Sequence, residues 1–271
     1  MPNVSFFSFN PDSRANRIER FLVTQRTDLP EDPRRWLNVR GPSEAMTQID
    51  LVAGARGVAV EVPATRAKDF NYRRSFKQGL PPEIRTTAKL LREVLTMTAR
   101  EHLDFAIALD WYKIPDPDVE ANNWRNTDVG ELVNRSKYRE SRASAIQLVD
   151  KIQEIVETHP LLKRAEYLAT VPGHNADGKS FGERLARTIA KRTGKTIMQT
   201  TCPSGRRDQQ KSGQAPSLDG LFEMPQTLWG EVVIIDDVYK SGATMNAVGL
   251  AARQAGADHV YGLAAVRTMR K

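Results

Sequence analysis

Two adjacent carboxylates, followed by a short loop of small and hydroxylated residues, are the part of this sequence best suited to chemistry. Asp236 and Asp237 come directly after four β-branched residues, 232–235, a run typical of a strand buried on both faces of a parallel sheet. The loop 238–244 then leads into the helical run 245–256. Such a turn points backbone N–H groups and the positive end of a helix at one spot, which suits a phosphate group. Because carboxylates can accept hydrogen bonds from hydroxyls, as they do from the ribose of a dinucleotide, one ligand with a phosphate and a vicinal diol would satisfy the whole stretch.

The stretch resembles a known signature. Four apolar residues, two acids, two further residues and then x-[ST]-G-x-[ST] are similar to the 5-phosphoribosyl-1-pyrophosphate (PRPP) motif of the type I phosphoribosyltransferases. The resemblance implies that Asp236 and Asp237 hold the ribose 2′ and 3′ hydroxyls. It also implies that the 5′-phosphate is wrapped by the loop residues Lys240, Ser241, Gly242, Ala243 and Thr244. The alternatives are a buried strand that ends in an ordinary Asp-rich turn and, for the lysine, a solvated cation.

The resemblance also implies a reaction and a metal ion. A phosphoribosyltransferase transfers the 5-phosphoribosyl group to a nitrogen nucleophile, such as a nucleobase, and releases pyrophosphate. The protein then has to hold the phosphates, neutralise the leaving group and exclude water. Mg²⁺ bound together with PRPP does much of the neutralising. We expect it to bind through the substrate, with Asp236 and Asp237 as the candidate protein contacts.

A second loop is the candidate site for the leaving group. Residues 172–179, PGHNADGK, follow a predicted strand over 167–171 and form a turn rich in exposed amides. In the family this loop contacts pyrophosphate, so the resemblance assigns Gly173, His174 and Lys179 to that role. A solvated loop histidine is the alternative for His174, because a single histidine without a partner indicates no specific role.

A long loop without periodicity is the candidate lid. Residues 202–220 are rich in Gly, Ser, Pro and Gln, and a loop of this length inside a compact domain is usually functional or disordered. Arg206, Arg207 and Lys211 are the candidate catalytic residues, which would close over pyrophosphate. A solvated basic loop is the other interpretation. Cys202 has no nearby histidine motif and is interpreted as structural or incidental.

The second half of the chain predicts an α/β fold that positions these loops. Helices are predicted over 129–138, 143–158, 181–193 and 246–255, and strands over 167–171, 196–200, 232–235 and 259–266. Strands that alternate with helices indicate a parallel sheet flanked by helices, which is the arrangement of the type I phosphoribosyltransferase fold. We assign residues 128–271 to this PRPP-binding domain.

Residues 1–127 predict an additional α+β module of unknown fold. We expect a short helix over 16–23, a loop over 29–42, strands over 57–62 and 103–111, and a helix after Pro82 with its apolar stripe on Ile84, Ala88, Leu91 and Leu95. The cluster 70–74, FNYRR, could stack on a base or bind a phosphate, but a loop packed by its aromatics is favoured. The aperiodic segment 114–127 is the predicted boundary. The module is a candidate hood over the site or a surface for a protein or nucleic-acid partner.

The second half further resembles the ComF-type branch of the family, which is linked to DNA uptake. The resemblance rests on Lys137-Tyr138-Arg139, on 179–182 (KSFG) and on an arginine-containing loop at 205–210. The branch usually carries a four-cysteine zinc ribbon upstream, and residues 1–127 replace it here. The alternative function is therefore a non-catalytic accessory or sensor protein of a bacterial DNA-uptake or phage-defence system, for example of the retron type, that binds PRPP or a nucleoside monophosphate.

Charge and composition narrow the class of protein. The 271 residues include 40 Lys and Arg against 33 Asp and Glu, a net charge of +7. An anionic substrate explains this excess, and nucleic acid would also explain it. Cys202 is the only cysteine, so no intrachain disulfide can form and a reducing compartment is expected. The N-terminus does not resemble a signal peptide and no apolar stretch approaches the length of a membrane span, so we expect a soluble, cytoplasmic protein.

Overall fold

The computed structural model describes residues 15–206 and 218–269, and these residues form two β-sheets with flanking helices. The strands are β1 (Ala15–Asn16), β2 (Arg20–Thr24), β3 (Arg35–Arg40), β4 (Gly57–Ala59), β5 (Tyr72–Phe76), β6 (Leu95–Met97), β7 (Phe105–Trp111), β8 (Tyr167–Thr170), β9 (Thr196–Met198), β10 (Gly230–Tyr239) and β11 (Ala257–Arg267). The helices are α1 (Ser43–Ala53), α2 (Pro82–Leu90), α3 (Asp128–Tyr138), α4 (Arg142–Thr158), α5 (Pro160–Arg164), α6 (Phe181–Thr193) and α7 (Ala243–Gln254).

The larger sheet has seven strands in the order β1-β6-β7-β11-β10-β8-β9. The five strands from β7 to β9 are parallel to one another, while β6 and β1 are antiparallel additions at the β7 edge. A mixed α/β fold with a parallel sheet between helices was predicted, and it is confirmed.

The central strands of the larger sheet are buried on both faces. In β10, Val233 and Ile235 pack in a core with α3, α4 and α6. Val232 and Ile234 point to the opposite face and pack against α7 and the segment 218–228. Parallel strands covered on both sides need apolar residues at successive positions, which explains why the run 232–235 has no polar interruption.

The smaller sheet is antiparallel, with the order β2-β3-β5-β4. One of its faces packs on α1, where Leu37 and Val39 of β3 join Ile49 and Val52 of the helix in the core. These residues belong to the same buried cluster as Val233 and Ile235 of β10, so the smaller sheet and α1 extend the core of the larger sheet.

Several predicted elements are confirmed. The helix over Phe181–Thr193 has the predicted bounds, and α3, α4 and α7 begin within three residues of the predicted positions. The sequence explains the sharp start of α6, because Ser180 and Glu183 form a capping box. The strands predicted over 103–111 and 167–171 correspond to β7 and β8.

In three places the sequence predicts a helix or a loop and the chain forms strands. Residues 16–23, predicted as a helix, contain the end of β1 and most of β2. The predicted loop 29–42 contains β3, and the cluster 70–74 runs into β5. Arginines interrupt the apolar alternation in these strands, so their pattern is weak and pairing with neighbouring strands decides the conformation.

Two predicted element ends are also wrong. The helix after Pro82 ends at Leu90, and Leu95 lies in β6 although it fits the helical stripe. A buried residue at helical spacing does not distinguish a longer helix from a following strand. The strand predicted to end at residue 235 continues to Tyr239, because residues up to Tyr239 keep pairing with β11. Asp236 and Asp237 are therefore the late residues of β10 itself.

The division of the chain at residue 127 stays a prediction. The seven-stranded sheet contains strands from both sides of that position, since β7 pairs with β11 along six residue pairs. Within residues 15–206 and 218–269, none of the helices has both the length and the apolar character required to cross a bilayer.

Candidate functional site

The candidate site lies at the carboxyl ends of β8 and β10, two neighbouring strands from which the chain departs in opposite directions. After β8 the chain passes through α6 to β9 at one edge of the sheet, and after β10 it passes through α7 to β11 on the other side. The helices α6 and α7 pack on opposite faces. Open α/β sheets bind their ligands in the crevice outside the carboxyl ends at such a reversal.

Two carboxylates of β10 face this crevice. The backbone N–H of Asp237 donates to Oδ1 of Asp236 at 2.8 Å. The start of α6 lies against the same carboxylate, because a Cβ atom added to Gly182 would be 3.2 Å from Asp236 Oδ1. Burial raises the pKa of Asp236 well above its usual value, and the neighbouring Asp237 raises it further. The pair therefore favours a bound proton, cation or hydroxyl donor.

Lys137 of α3 supplies a cation to this pair. Its Nζ donates to Oδ2 of Asp237 at 2.7 Å, and the two side chains are 32% and 10% exposed. Burial lowers the pKa of Lys137, but the charge of Asp237 and the hydrogen bond to it outweigh that effect, so the pKa is raised overall. Lys137 was not predicted as a site residue. The only signal in the sequence is its place in the Lys-Tyr pair of the resemblance.

Helix α3 reaches the site because its other end is fixed at β7. The segment between them folds back on itself, with the N–H of Ile114 donating to the carbonyl of Arg125 at 2.8 Å. At its end the hydroxyl of Thr127 donates to the carbonyl of Trp111 at 2.6 Å and caps α3. The helix thus begins beside the carboxyl end of β7 and ends, at Lys137, beside that of β10.

The predicted phosphate loop connects β10 directly to α7. Gly242 has φ +74°, and a Cβ atom there would lie 2.1 Å from the hydroxyl of Tyr239, so only glycine fits this turn. Gly242 is also the N-cap of α7 and provides no side-chain cap for its first amides. The predicted residues Lys240, Ser241, Gly242, Ala243 and Thr244 are therefore contiguous at a helix N-terminus, next to Asp236 and Asp237, and Lys240 is exposed.

Two arginines form hydrogen bonds to the backbone of this loop, and neither was predicted from the sequence. Arg100 Nε donates to the carbonyl of Ser241 at 2.9 Å, and Arg267 Nη1 donates to the carbonyl of Lys240 at 2.6 Å. Both donors bind carbonyl oxygens of the loop, so neither arginine occupies one of its N–H groups. Backbone N–H groups and a helix N-terminus attract an anion.

The predicted pyrophosphate loop follows β8 on the other side of the crevice. The N–H of Gly173 donates to Glu183 Oε2 at 3.4 Å, and the N–H of Lys179 donates to Asp177 Oδ1 at 3.0 Å. The Lys179 residue is exposed and His174 is half-buried. The loop is adjacent to Asp236 through α6, and the leaving-group roles of Gly173, His174 and Lys179 stay predictions.

The predicted lid falls partly outside the described residues. Arg206 is exposed at the end of the first described range, while Arg207 and Lys211 lie outside the described residues. The base of the loop is closed by two backbone hydrogen bonds between Thr201 and Glu223, of 2.9 and 3.1 Å. The role of the three basic residues stays a prediction.

Two cavities lie away from the carboxylates. One of about 410 Å³ lies among α2, α3, α4 and β7, and one of about 390 Å³ lies among α3, α4 and α6. Neither is lined by Asp236 or Asp237. Among the described residues no group of three or more His, Cys, Asp and Glu side chains converges on one point, so any metal ion at Asp236 and Asp237 would need ligand oxygens to complete its coordination.

Comparison with known proteins yields similarities at the level of the fold. No protein-family model matches the chain, and no curated protein matches it in sequence. Orotate phosphoribosyltransferase from Aeropyrum pernix is 19% identical, with a TM-score of 0.32 over 48% of this chain and 62% of that chain. Adenine phosphoribosyltransferase from Saccharomyces cerevisiae is 17% identical (TM-score 0.33, 48% and 72%), and that from Leishmania tarentolae is 12% identical (TM-score 0.40, 64% and 81%). The chain thus spans less than two thirds of the Aeropyrum enzyme, and the function has to be argued from the site.

Proposed function

We propose that the crevice between β8 and β10 binds PRPP with Mg²⁺ and transfers its 5-phosphoribosyl group to a nitrogen nucleophile of the nucleobase type. The observation that carries the proposal is that one strand–loop–helix unit joins two carboxylates to the N-terminus of α7, where the N-cap residue is Gly242. A carboxylate pair beside a phosphate-binding turn matches a sugar phosphate with free hydroxyls better than a simple anion, which the carboxylates would repel.

In the proposed complex the 5′-phosphate lies on the loop 240–244 and the ribose hydroxyls donate to Asp236 and Asp237. Binding then replaces the hydrogen bond of Lys137 to Asp237 with hydroxyl hydrogen bonds, and the ammonium becomes available to a ligand phosphate. Two hydrogen bonds at Ser241 keep the loop in shape: its hydroxyl accepts from the N–H of Ala243 at 3.4 Å, and its carbonyl accepts from Arg100 at 2.9 Å. A preformed loop of this kind lowers the entropy cost of binding.

The chemical step breaks the bond between the anomeric carbon and the pyrophosphate oxygen and forms a bond from that carbon to the nucleophile's nitrogen. The electron pair leaves with pyrophosphate, and the proton of the nucleophile passes to solvent. Asp236 and Asp237 fit Mg²⁺ as its protein contacts, because this ion commonly takes one or two carboxylates and completes its shell with substrate oxygens and water. When bound, it supplies charge neutralisation at the leaving group. Arg206, Arg207 and Lys211 are proposed to close over that group.

The ComF-type assignment is the finer part of the proposal. It draws support from Lys137, the residue of the Lys-Tyr pair that reaches Asp237, and from the KSFG run at 179–182, which opens α6 beside Asp236. Both segments that resemble the branch therefore contact the same pair of carboxylates, Asp236 and Asp237.

One observation favours the alternative, a protein that binds PRPP or a nucleoside monophosphate without turnover. Lys137 of α3 forms an ion pair with Asp237, so a ligand that binds this carboxylate would have to displace the lysine. Such a displacement would couple occupancy of the site to α3, which suits a sensor.

Phosphorus NMR of the protein with PRPP, Mg²⁺ and a pool of nucleobases tests the proposal. We expect pyrophosphate to accumulate only with a base present, and not with Asp237→Asn. The matched control is Asp150→Asn, which neutralises an exposed carboxylate on α4 that pairs with Arg192. PRPP signals that broaden without turnover would favour the sensor, and sharp, unchanged signals would refute a PRPP site.

A further inference from the structure

The smaller sheet has an unusual charge composition. Its four strands contain no aspartate or glutamate but include the five arginines Arg20, Arg35, Arg40, Arg73 and Arg74. Strands at a protein surface usually mix both signs of charge, so an excess of one sign over a whole sheet indicates a partner of the opposite sign.

The strand register divides the side chains of this sheet between two faces. Arg74 lies opposite Leu37 in the register and faces α1, where it binds both carboxylate oxygens of Asp50 at 2.6 and 2.7 Å. Trp36 lies opposite Ser75, and Asn38 lies opposite Arg73, so these residues belong to the other face. We call it the outer face.

The outer face combines arginines with flat and apolar surface. Arg20 and Arg40 share it through their pairing between β2 and β3. Leu22 and Val58, on the same face, are 41% and 50% exposed. Arg20 and Arg40 have the carboxylates of Asp69 and Glu19 at the rim of the sheet as partners.

At the centre of the outer face, Arg73 lies over the ring of Trp36, with its guanidinium carbon 4.9 Å from the ring centroid. Among the described residues no carboxylate pairs with Arg73, and its buried Nε has no hydrogen-bond partner there. The fully buried Asn38 below likewise has no partner for Oδ1 in the described part of the chain. Burial lowers the pKa of Arg73, and the nearby cation of Arg66 lowers it further.

The Arg73 guanidinium thus lacks a neutralising carboxylate on the described part of the sheet, although the residue is only partly buried. An external anion at the accessible side of this guanidinium would supply the missing negative charge. The adjacent Trp36 ring and the exposed Leu22 and Val58 offer stacking and apolar contact, which inorganic phosphate cannot use.

We propose that the outer face of the smaller sheet binds single-stranded nucleic acid. A phosphate would bind the cation of Arg73, and an unstacked base would pack on the part of Trp36 that Arg73 leaves accessible. A cationic surface with an aromatic platform is the common composition of single-strand binding sites. The bases of a duplex are stacked and cannot pack on the tryptophan, and the carboxylates of an acidic peptide would use only the cation. A single strand can contact both the arginine and the tryptophan ring. This proposal does not depend on the PRPP site.

Fluorescence anisotropy of the full chain with labelled oligo(dT) and oligo(rU) tests the proposal. We expect binding that weakens as salt increases. Arg73→Gln should weaken it by about tenfold, the order of one charge-assisted contact. The matched control is Arg192→Gln, which removes the same charge from α6, away from the sheet, and should leave affinity unchanged.

Tryptophan fluorescence gives a second measurement that does not depend on the arginine variants. Oligonucleotide should quench wild-type fluorescence, and Trp36→Phe should lose that quenching while circular dichroism shows an intact fold. Equal weakening by the Arg73 and Arg192 variants would overturn the proposal, because only net charge would then matter. Binding of polyglutamate as tight as that of oligo(dT), with no quenching by the oligonucleotide, would also overturn it and would favour an acidic protein partner. Absence of oligonucleotide binding at low salt would refute it directly.

Discussion

Replacing Lys137 with methionine tests the electrostatics of the site without any ligand. The change keeps most of the apolar stem and removes the ammonium that lies 2.7 Å from Asp237. Removing one partner from a fully buried pair costs about 3–5 kcal/mol, while an exposed pair contributes about 0–1 kcal/mol. Asp237 is nearly buried and Lys137 is about one-third exposed, so we expect a loss of about 2 kcal/mol in the free energy of unfolding at neutral pH.

The pH dependence identifies the cause of that loss. Burial and the neighbouring Asp237 raise the folded-state pKa of Asp236, because both disfavour its charged form, so the folded protein binds a proton there more readily than the unfolded chain does. As pH falls through that raised pKa, proton uptake by the folded state relieves the repulsion, and the variant should recover stability relative to wild type. The raised pKa of Lys137 makes its stabilisation complete at neutral pH, to be lost only as pH rises through its folded value.

Urea unfolding followed by circular dichroism at several pH values provides the measurement. Arg135→Met is the matched control on the same helix, because Arg135 pairs with Glu131 in an exposed i,i+4 arrangement and should cost only about 0.3–0.5 kcal/mol. A Lys137→Met loss that is no larger than this control, or one that is the same at every pH, would refute the reasoning.

Three further substitutions have expected outcomes that differential scanning fluorimetry or denaturant titration can check. Gly242→Ala should lower the free energy of unfolding by more than about 2 kcal/mol, because the new methyl group would overlap the hydroxyl of Tyr239. The control is Gly194→Ala, which is also at positive φ but in open space and should cost only about 1 kcal/mol. Equal losses in the two variants would contradict the role of the overlap. Ser180→Ala removes the cap of α6 and should cost about 1 kcal/mol, so a loss below a few tenths would argue against the capping box. Burial lowers the pKa of His159 to about 3, so between about pH 6.5 and 3 the unfolded chain binds a proton that the folded protein does not. The free energy of unfolding should therefore decrease as pH falls through this range, by at most about 1.4 kcal/mol per pH unit. His159→Asn should flatten that slope, and an unchanged slope would show that other groups dominate it.

The sequence predicts the parallel half of the fold well because its signals are local. A run such as 232–235 can only be a strand with both faces covered, and the capping residues of α6 fix the start of that helix. The candidate carboxylates and phosphate loop were found for the same reason, since they are contiguous in the chain. Their functional roles stay predictions.

The residues that sequence reasoning missed act across long separations in the chain. Lys137 is 100 residues from Asp237, and Arg100 is 141 residues from Ser241, so no local spacing could connect them. The smaller sheet was missed for a different reason. Its strands alternate arginines with apolar residues, and arginine also occurs freely in loops and helices, so only the pairing with neighbouring strands identifies them.

The pairing of β7 with β11 bears on how this protein could have been assembled in evolution. A gene segment that ended or began near residue 127 would encode a C-terminal half with the long, apolar β11 unpaired along one side. An exposed strand edge of that kind is prone to pair with other chains and aggregate. A gene segment that also encodes β7 would cover this edge of β11, so we expect its product to aggregate less than that of a segment starting near residue 127.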